Sequence, residues 1–180
     1  MTRAGPDSAL LVIDMQQEAL VGCPDAAGVI DRINDLSRRA RAAGAPVIFI
    51  QHEGEDELER GSPGWEIDPS LEQDGAHLVP KTYRDAFAET ELEDLLQRLG
   101  VRRLVVTGVH SDFCVQMTTL SAVMRGFDVV LVSDAHTAID HADGGPLDGR
   151  EMSRLVNSRM ATLRHPGSTI EVLPAESVEL

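Results

Sequence analysis

Cysteine is scarce in this chain: two in 180 residues, Cys23 and Cys114. Two thiols cannot make a disulfide framework, and their surroundings hold neither a zinc motif nor a CxxC pair. Basic residues are also few. Sixteen Lys and Arg stand against 30 Asp and Glu, a net charge of −14. Phosphate binding needs clustered cations, so a nucleic-acid partner is not expected. No run of 18 apolar residues is present, and the N-terminal apolar run is too short for a signal peptide. The expectation is a cytoplasmic protein without a membrane span. Internal repeats, low-complexity stretches and interdomain linkers are lacking too, which leaves one domain over residues 1–180.

What is present alternates. Apolar runs at 9–13, 47–50, 103–106 and 128–133 read as strands covered on both faces. HLVPK (77–81) is a further, short apolar run, and 168–173 reads as a last strand. Val29, Ile30, Ile33, Leu36 and Ala40 recur at helical spacing and stop at Gly44 and Pro46. Leu92, Leu95, Leu96 and Leu99 form a second helical face ended by Gly100, with Thr90 and Glu93 as a capping box before it. Helices are also expected after Cys114 and over about 149–163. This alternation predicts an α/β fold with a mainly parallel sheet. Residues 53–76 form a long loop, a length that is often functional. The acidic runs Glu53-Gly54-Glu55-Asp56-Glu57 and 89–94 read first as solvated surface; the sharper alternative is attraction of a cationic substrate.

Three residues carry the chemical signal. Cys114 lies where a strand turns into a helix, a position near unpaired N–H groups and the positive end of a helix dipole, which favours a thiolate. Asp14 follows the first strand and Lys81 the third. An acid, a base and a thiol placed just past strands are parts for nucleophilic catalysis. In open α/β sheets, ligands bind in the crevice at such strand ends. Asp134 also follows a strand and reads as a structural cap. Cys23 has no evident role.

LLVIDMQ (10–16), Pro80-Lys81 with Phe87 and Thr90, TGVHSDFCV (107–115) and VVLVSDAHTA (129–138) together resemble the isochorismatase-like cysteine hydrolase superfamily. That group includes nicotinamidases, carbamoylsarcosine and ureidoacrylate amidohydrolases, and streptothricin hydrolases. The resemblance covers nearly the whole chain. It implies a three-layer, Rossmann-like fold with a six-stranded sheet, a homodimer or homotetramer, and an Asp14–Lys81–Cys114 triad working through a thioester. It also implies a cis peptide at Val109–His110 and an oxyanion hole from the backbone N–H groups of His110 and Cys114. His52, Trp65, Tyr83 and Phe113 are candidate substrate contacts, and an exposed His110 could reach substrate or turn into packing.

Departures from the family pattern narrow the reaction. Nicotinamidases of this group carry an Asp-x-His after the second strand to hold a metal. Here the segment is Ile50-Gln51-His52-Glu53, so no metal and no cofactor are expected. True isochorismatases lack the cysteine. Glu18-Ala19 replaces an Asp-Phe common among relatives, which opens or repolarises one pocket wall. The expected activity is hydrolysis of a C–N bond in a small amide, lactam or ureido compound. The alternatives are a metal-assisted nicotinamidase and a non-catalytic oligomeric binding protein, in which Cys114 need not outpace Cys23 towards iodoacetamide.

Overall fold

The computed structural model describes residues 7–54, 58–140 and 147–180. Glu55, Asp56 and Glu57 of the first acidic run lie outside the described residues. Six strands form one sheet: β1 (Ser8–Ile13), β2 (Val47–His52), β3 (His77–Lys81), β4 (Arg103–Val109), β5 (Asp128–Thr137) and β6 (Ile170–Leu173). Their order is β3-β2-β1-β4-β5-β6, and every pairing is parallel. Among the described residues, four α-helices lie between strands: α1 (Ala26–Ala43), α2 (Leu92–Leu99), α3 (Gln116–Met124) and α4 (Gly149–Thr162).

The pleat explains the three layers. Successive side chains of a strand point to opposite faces. Ala9, Leu11 and Ile13 of β1 join one core with Leu92 and Leu96 of α2, Ala122 of α3 and Val156 of α4. Leu10 and Val12 join the other, packed on Ile33, Leu36 and Ala40 of α1. The core strands therefore carry continuous apolar runs, such as residues 9–13 and 47–50, because both faces are covered. Pro80, which cannot donate to a ladder, sits on the edge strand β3, where its missing N–H is tolerated.

The chain runs outward from β1 through β2 to β3, then returns to β4 on the other side of β1. That reversal opens a crevice at the carboxyl ends of β1 and β4. Gly108 makes the close approach possible. It pairs with Ile13, its φ is 119°, and a Cβ there would stand 2.1 Å from the Ile13 carbonyl oxygen.

Three local expectations are corrected. Thr90 does not form a capping box with Glu93. Its hydroxyl donates to the Ala86 carbonyl and accepts weakly from the Leu92 N–H, while Glu93 pairs with Arg125. β5 runs on to Thr137, past the expected end at Ser133, because its later residues pair with Gly108 and Val109 after a break in register. β6 begins at Ile170 rather than Ser168. Asp134 thus lies within β5, where its carboxylate accepts the Ala175 N–H and faces Arg32.

Candidate active site

Asp14 is the first residue past β1 and takes a left-handed φ of 51°, which Asp tolerates better than most residues. Its N–H bonds to the Ile50 carbonyl, tying the turn to β2. Lys81 ends β3, two strands from β1. Neighbouring strands are ~4.8 Å apart, so only a long side chain can cross β2 to reach Asp14. Lys81 does this, fully buried, and lies in register beside His52 on the way.

The ammonium of Lys81 has three protons, and three acceptors surround it. Asp14 Oδ2 is at 2.7 Å, His52 Nδ1 at 2.9 Å and Cys114 Sγ at 3.4 Å. His52 accepts at Nδ1, so its proton sits on Nε2. The second carboxylate oxygen, Asp14 Oδ1, is buried with no hydrogen-bond partner among the described residues. A buried acceptor left this way calls for an explanation, and a proton-accepting role supplies one.

Cys114 lies in a π-helical turn, Ser111–Val115, that precedes α3. The Val109–His110 peptide before the turn is cis. The His110 carbonyl accepts from the N–H groups of Phe113 and Val115. Ser111 anchors the start of the turn: its hydroxyl bonds His136 Nδ1 at 2.7 Å and Ser153 at 2.9 Å, and His136 Nε2 meets Asn157 at 2.9 Å. Burial lowers the His136 pKa and keeps the ring neutral.

The thiol departs from expectation. Burial first, and then the Asp14 charge, push Cys114 up to about 12, with Lys81 opposing them. The strand-to-helix position suggests a thiolate, but removal of water outweighs it and the resting group is a thiol.

A cavity of about 570 Å³ opens over Cys114. Asp14, His52, Tyr83, His110 and Phe113 line it, and so does Leu58 from the long loop. Trp65 does not line it. Its backbone carbonyl instead collects the amide groups of Gln16 and Gln51, so this tryptophan segment braces the site from behind. His110 bonds the Ala19 carbonyl through Nε2 at 2.7 Å, and both residues line the cavity.

Two residues were not singled out from sequence. Gln16, fully buried, accepts the His52 N–H and donates to the His52 carbonyl, fixing the end of β2 that carries the Lys81 contact. Its only sequence signal was its place in the LLVIDMQ motif. Arg84 lines the cavity with its guanidinium stacked 3.9 Å from the Phe113 ring centre.

Among the described residues no group of three or more His, Cys, Asp or Glu is placed to hold an ion. His52 directs a lone pair at an ammonium, and His77 lies at the opposite end of β3.

The isochorismatase domain family model matches residues 8–153. The chain belongs to the isochorismatase family. Within it, the chain is 43% identical over 141 residues to a streptothricin hydrolase of Streptomyces noursei, covering 75% of this chain and 56% of that protein. It is 30% identical over 181 residues to the ureidoacrylate amidohydrolase RutB of Klebsiella variicola, covering 77% of each. The solved structure of an isochorismatase from Pseudomonas putida superposes with a TM-score of 0.85 at 26% identity, over 96% of this chain and 90% of that one. The chain spans about half the length of the streptothricin hydrolases it matches, 56% and 50%. No helix among the described residues is long and apolar enough to cross a membrane.

Proposed function

We propose that this protein is a cysteine hydrolase that cleaves the C–N bond of a small amide, lactam or ureido compound. The observation that carries the reading is the shared ammonium of Lys81, in contact with Asp14 and Cys114 beneath an open cavity. Packing alone has no use for a buried lysine, carboxylate and thiol in one place, because isolated charges are costly to bury. Relatives named as hydrolases of streptothricin and of ureidoacrylate support the same class of reaction.

An amide carbonyl is a poor electrophile, so attack needs a thiolate and a stabilised oxyanion. The resting thiol gives its proton to Asp14 as sulfur bonds to the carbonyl carbon. Lys81 stays cationic, orients Asp14 and offsets the charge forming on sulfur. The backbone N–H groups of His110 and Cys114 hold the oxyanion. Asp14 then protonates the leaving nitrogen, the C–N bond breaks, and an acyl-thioester remains on Cys114. Water loses a proton to Asp14 and attacks the thioester; the acid leaves and the proton returns to sulfur.

The test is ammonia or amine release across small amides, lactams and ureido acids, nicotinamide included, with Cys114→Ala alongside. Release that vanishes in the variant is expected. Undiminished release by Cys114→Ala would overturn the reading.

A further inference from the structure

Arg84 is the arginine that lines the cavity over the nucleophile. Arg32, Arg38, Arg41, Arg102 and Arg125 each meet a carboxylate. Arg84, like Arg98, Arg103, Arg150 and Arg154, meets none among the described residues, and what sets it apart from those is its place at the cavity. Arg84 is exposed, but the segment that carries it is tied to the fold. The Ala86 N–H bonds the Thr118 hydroxyl at 3.0 Å, and Asp85 accepts from the Ser121 hydroxyl at 2.7 Å. Both hydroxyls belong to α3, the helix that follows Cys114. The guanidinium lies over Phe113, the residue just before the nucleophile, 3.9 Å from the ring centre.

Stacking uses the face of a guanidinium and leaves its N–H edge available. That edge matches a carboxylate in a two-point contact. Two other polar side chains of the cavity have partners of their own: Asp14 is held by Lys81, and His110 by the Ala19 carbonyl. On the hydrolase reading above, on which this inference rests, we infer that Arg84 is the specificity-determining residue of the site. It receives a carboxylate carried by the substrate on the side of the cavity where Phe113 lies, away from the scissile bond. The substrate class is then an amide, lactam or ureido compound with an acid group, rather than a purely cationic one.

The probes are the monoamides of malonate, succinate, glutarate and adipate, each paired with its neutral diamide. Binding is measured by calorimetry to the Cys114→Ala protein, with and without Arg84→Gln, and ammonia release is followed in the wild type. For at least one chain length the monoamide is expected to bind about tenfold or more tightly than its diamide, from a charge-assisted contact. Arg84→Gln removes that preference, while Arg84→Lys keeps only part of it because the two-point geometry is lost. Absence of a preference at every length, absence of binding by every monoamide, or a preference that survives Arg84→Gln overturns the inference. Equal ammonia release from both members of each pair leaves the hydrolase reading standing without the acid group. An Arg84-dependent preference with no ammonia release does the reverse.

Discussion

Replacing Asp14 by Asn should make Cys114 easier to alkylate while abolishing hydrolysis. Asp14 and Cys114 touch the same Lys81 nitrogen, at 2.7 and 3.4 Å, so they lie within about 6 Å of each other. Two unit charges at that distance, in an effective dielectric of about 20, interact by ~3 kcal/mol, or roughly two pKa units. Asn removes that repulsion and leaves the Lys81 cation in place, and it tolerates the left-handed backbone at position 14. The thiolate population near pH 7.5 rises about a hundredfold. Each thiolate becomes about tenfold less nucleophilic as its pKa falls, so the net gain in alkylation rate is about tenfold. Cys23 is an internal control. Burial pushes it too up to about 12, assisted by Asp140 and Asp112 but not by Asp14. The assay is iodoacetamide labelling at pH 7.5 with both cysteine peptides quantified by mass spectrometry. An unchanged or slower Cys114 rate would refute the idea that Asp14 holds the thiol protonated. Both cysteines rest as thiols in the wild type, so comparing their labelling rates there is a weak test of catalysis.

Lys81→Met leaves the Asp14 carboxylate buried without its cation, a loss of about 3–5 kcal/mol that urea unfolding at pH 7 would register. Gly108→Ala drives a methyl group into the Ile13 carbonyl, so destabilisation beyond about 3 kcal/mol or loss of soluble protein is expected, read by yield and thermal melting. His136 has a folded pKa below its ordinary 6.5, mainly through burial. The unfolded chain therefore binds the extra proton first. Its contribution to stability is complete above about pH 6.5 and declines as pH falls below that, by up to ~1.4 kcal/mol per pH unit. A His136→Gln variant should lack that part of the slope in denaturant titrations at pH 7 and pH 5.

The strands were legible because burial on both faces leaves a continuous apolar run, and β1, buried throughout, shows this over residues 9–13. Asp14, Lys81 and Cys114 could be found because each follows an apolar run and matches a family motif, although the run before Lys81 lies on a half-exposed edge strand. The charge state of the thiol could not be read in the same way. It depends on how much water the fold removes and on a carboxylate distant in sequence. Trp65 was placed at the pocket from its type, but its segment is used through a backbone carbonyl. Arg84 was missed because its signal is a stacking contact with Phe113, 29 residues further along the chain. The capping box failed because Thr90 finds a nearer acceptor, the Ala86 carbonyl at 2.6 Å.

The central claim is that Cys114 carries the acyl group. Acid-quenching the enzyme during turnover of an active amide, followed by mass spectrometry of the intact and digested protein, tests it directly. A thioester on Cys114 gives an adduct on its peptide equal to the substrate less its leaving amine, and none in Cys114→Ala. Turnover that proceeds in Cys114→Ala, with no adduct in the wild type at any quench time, would contradict it.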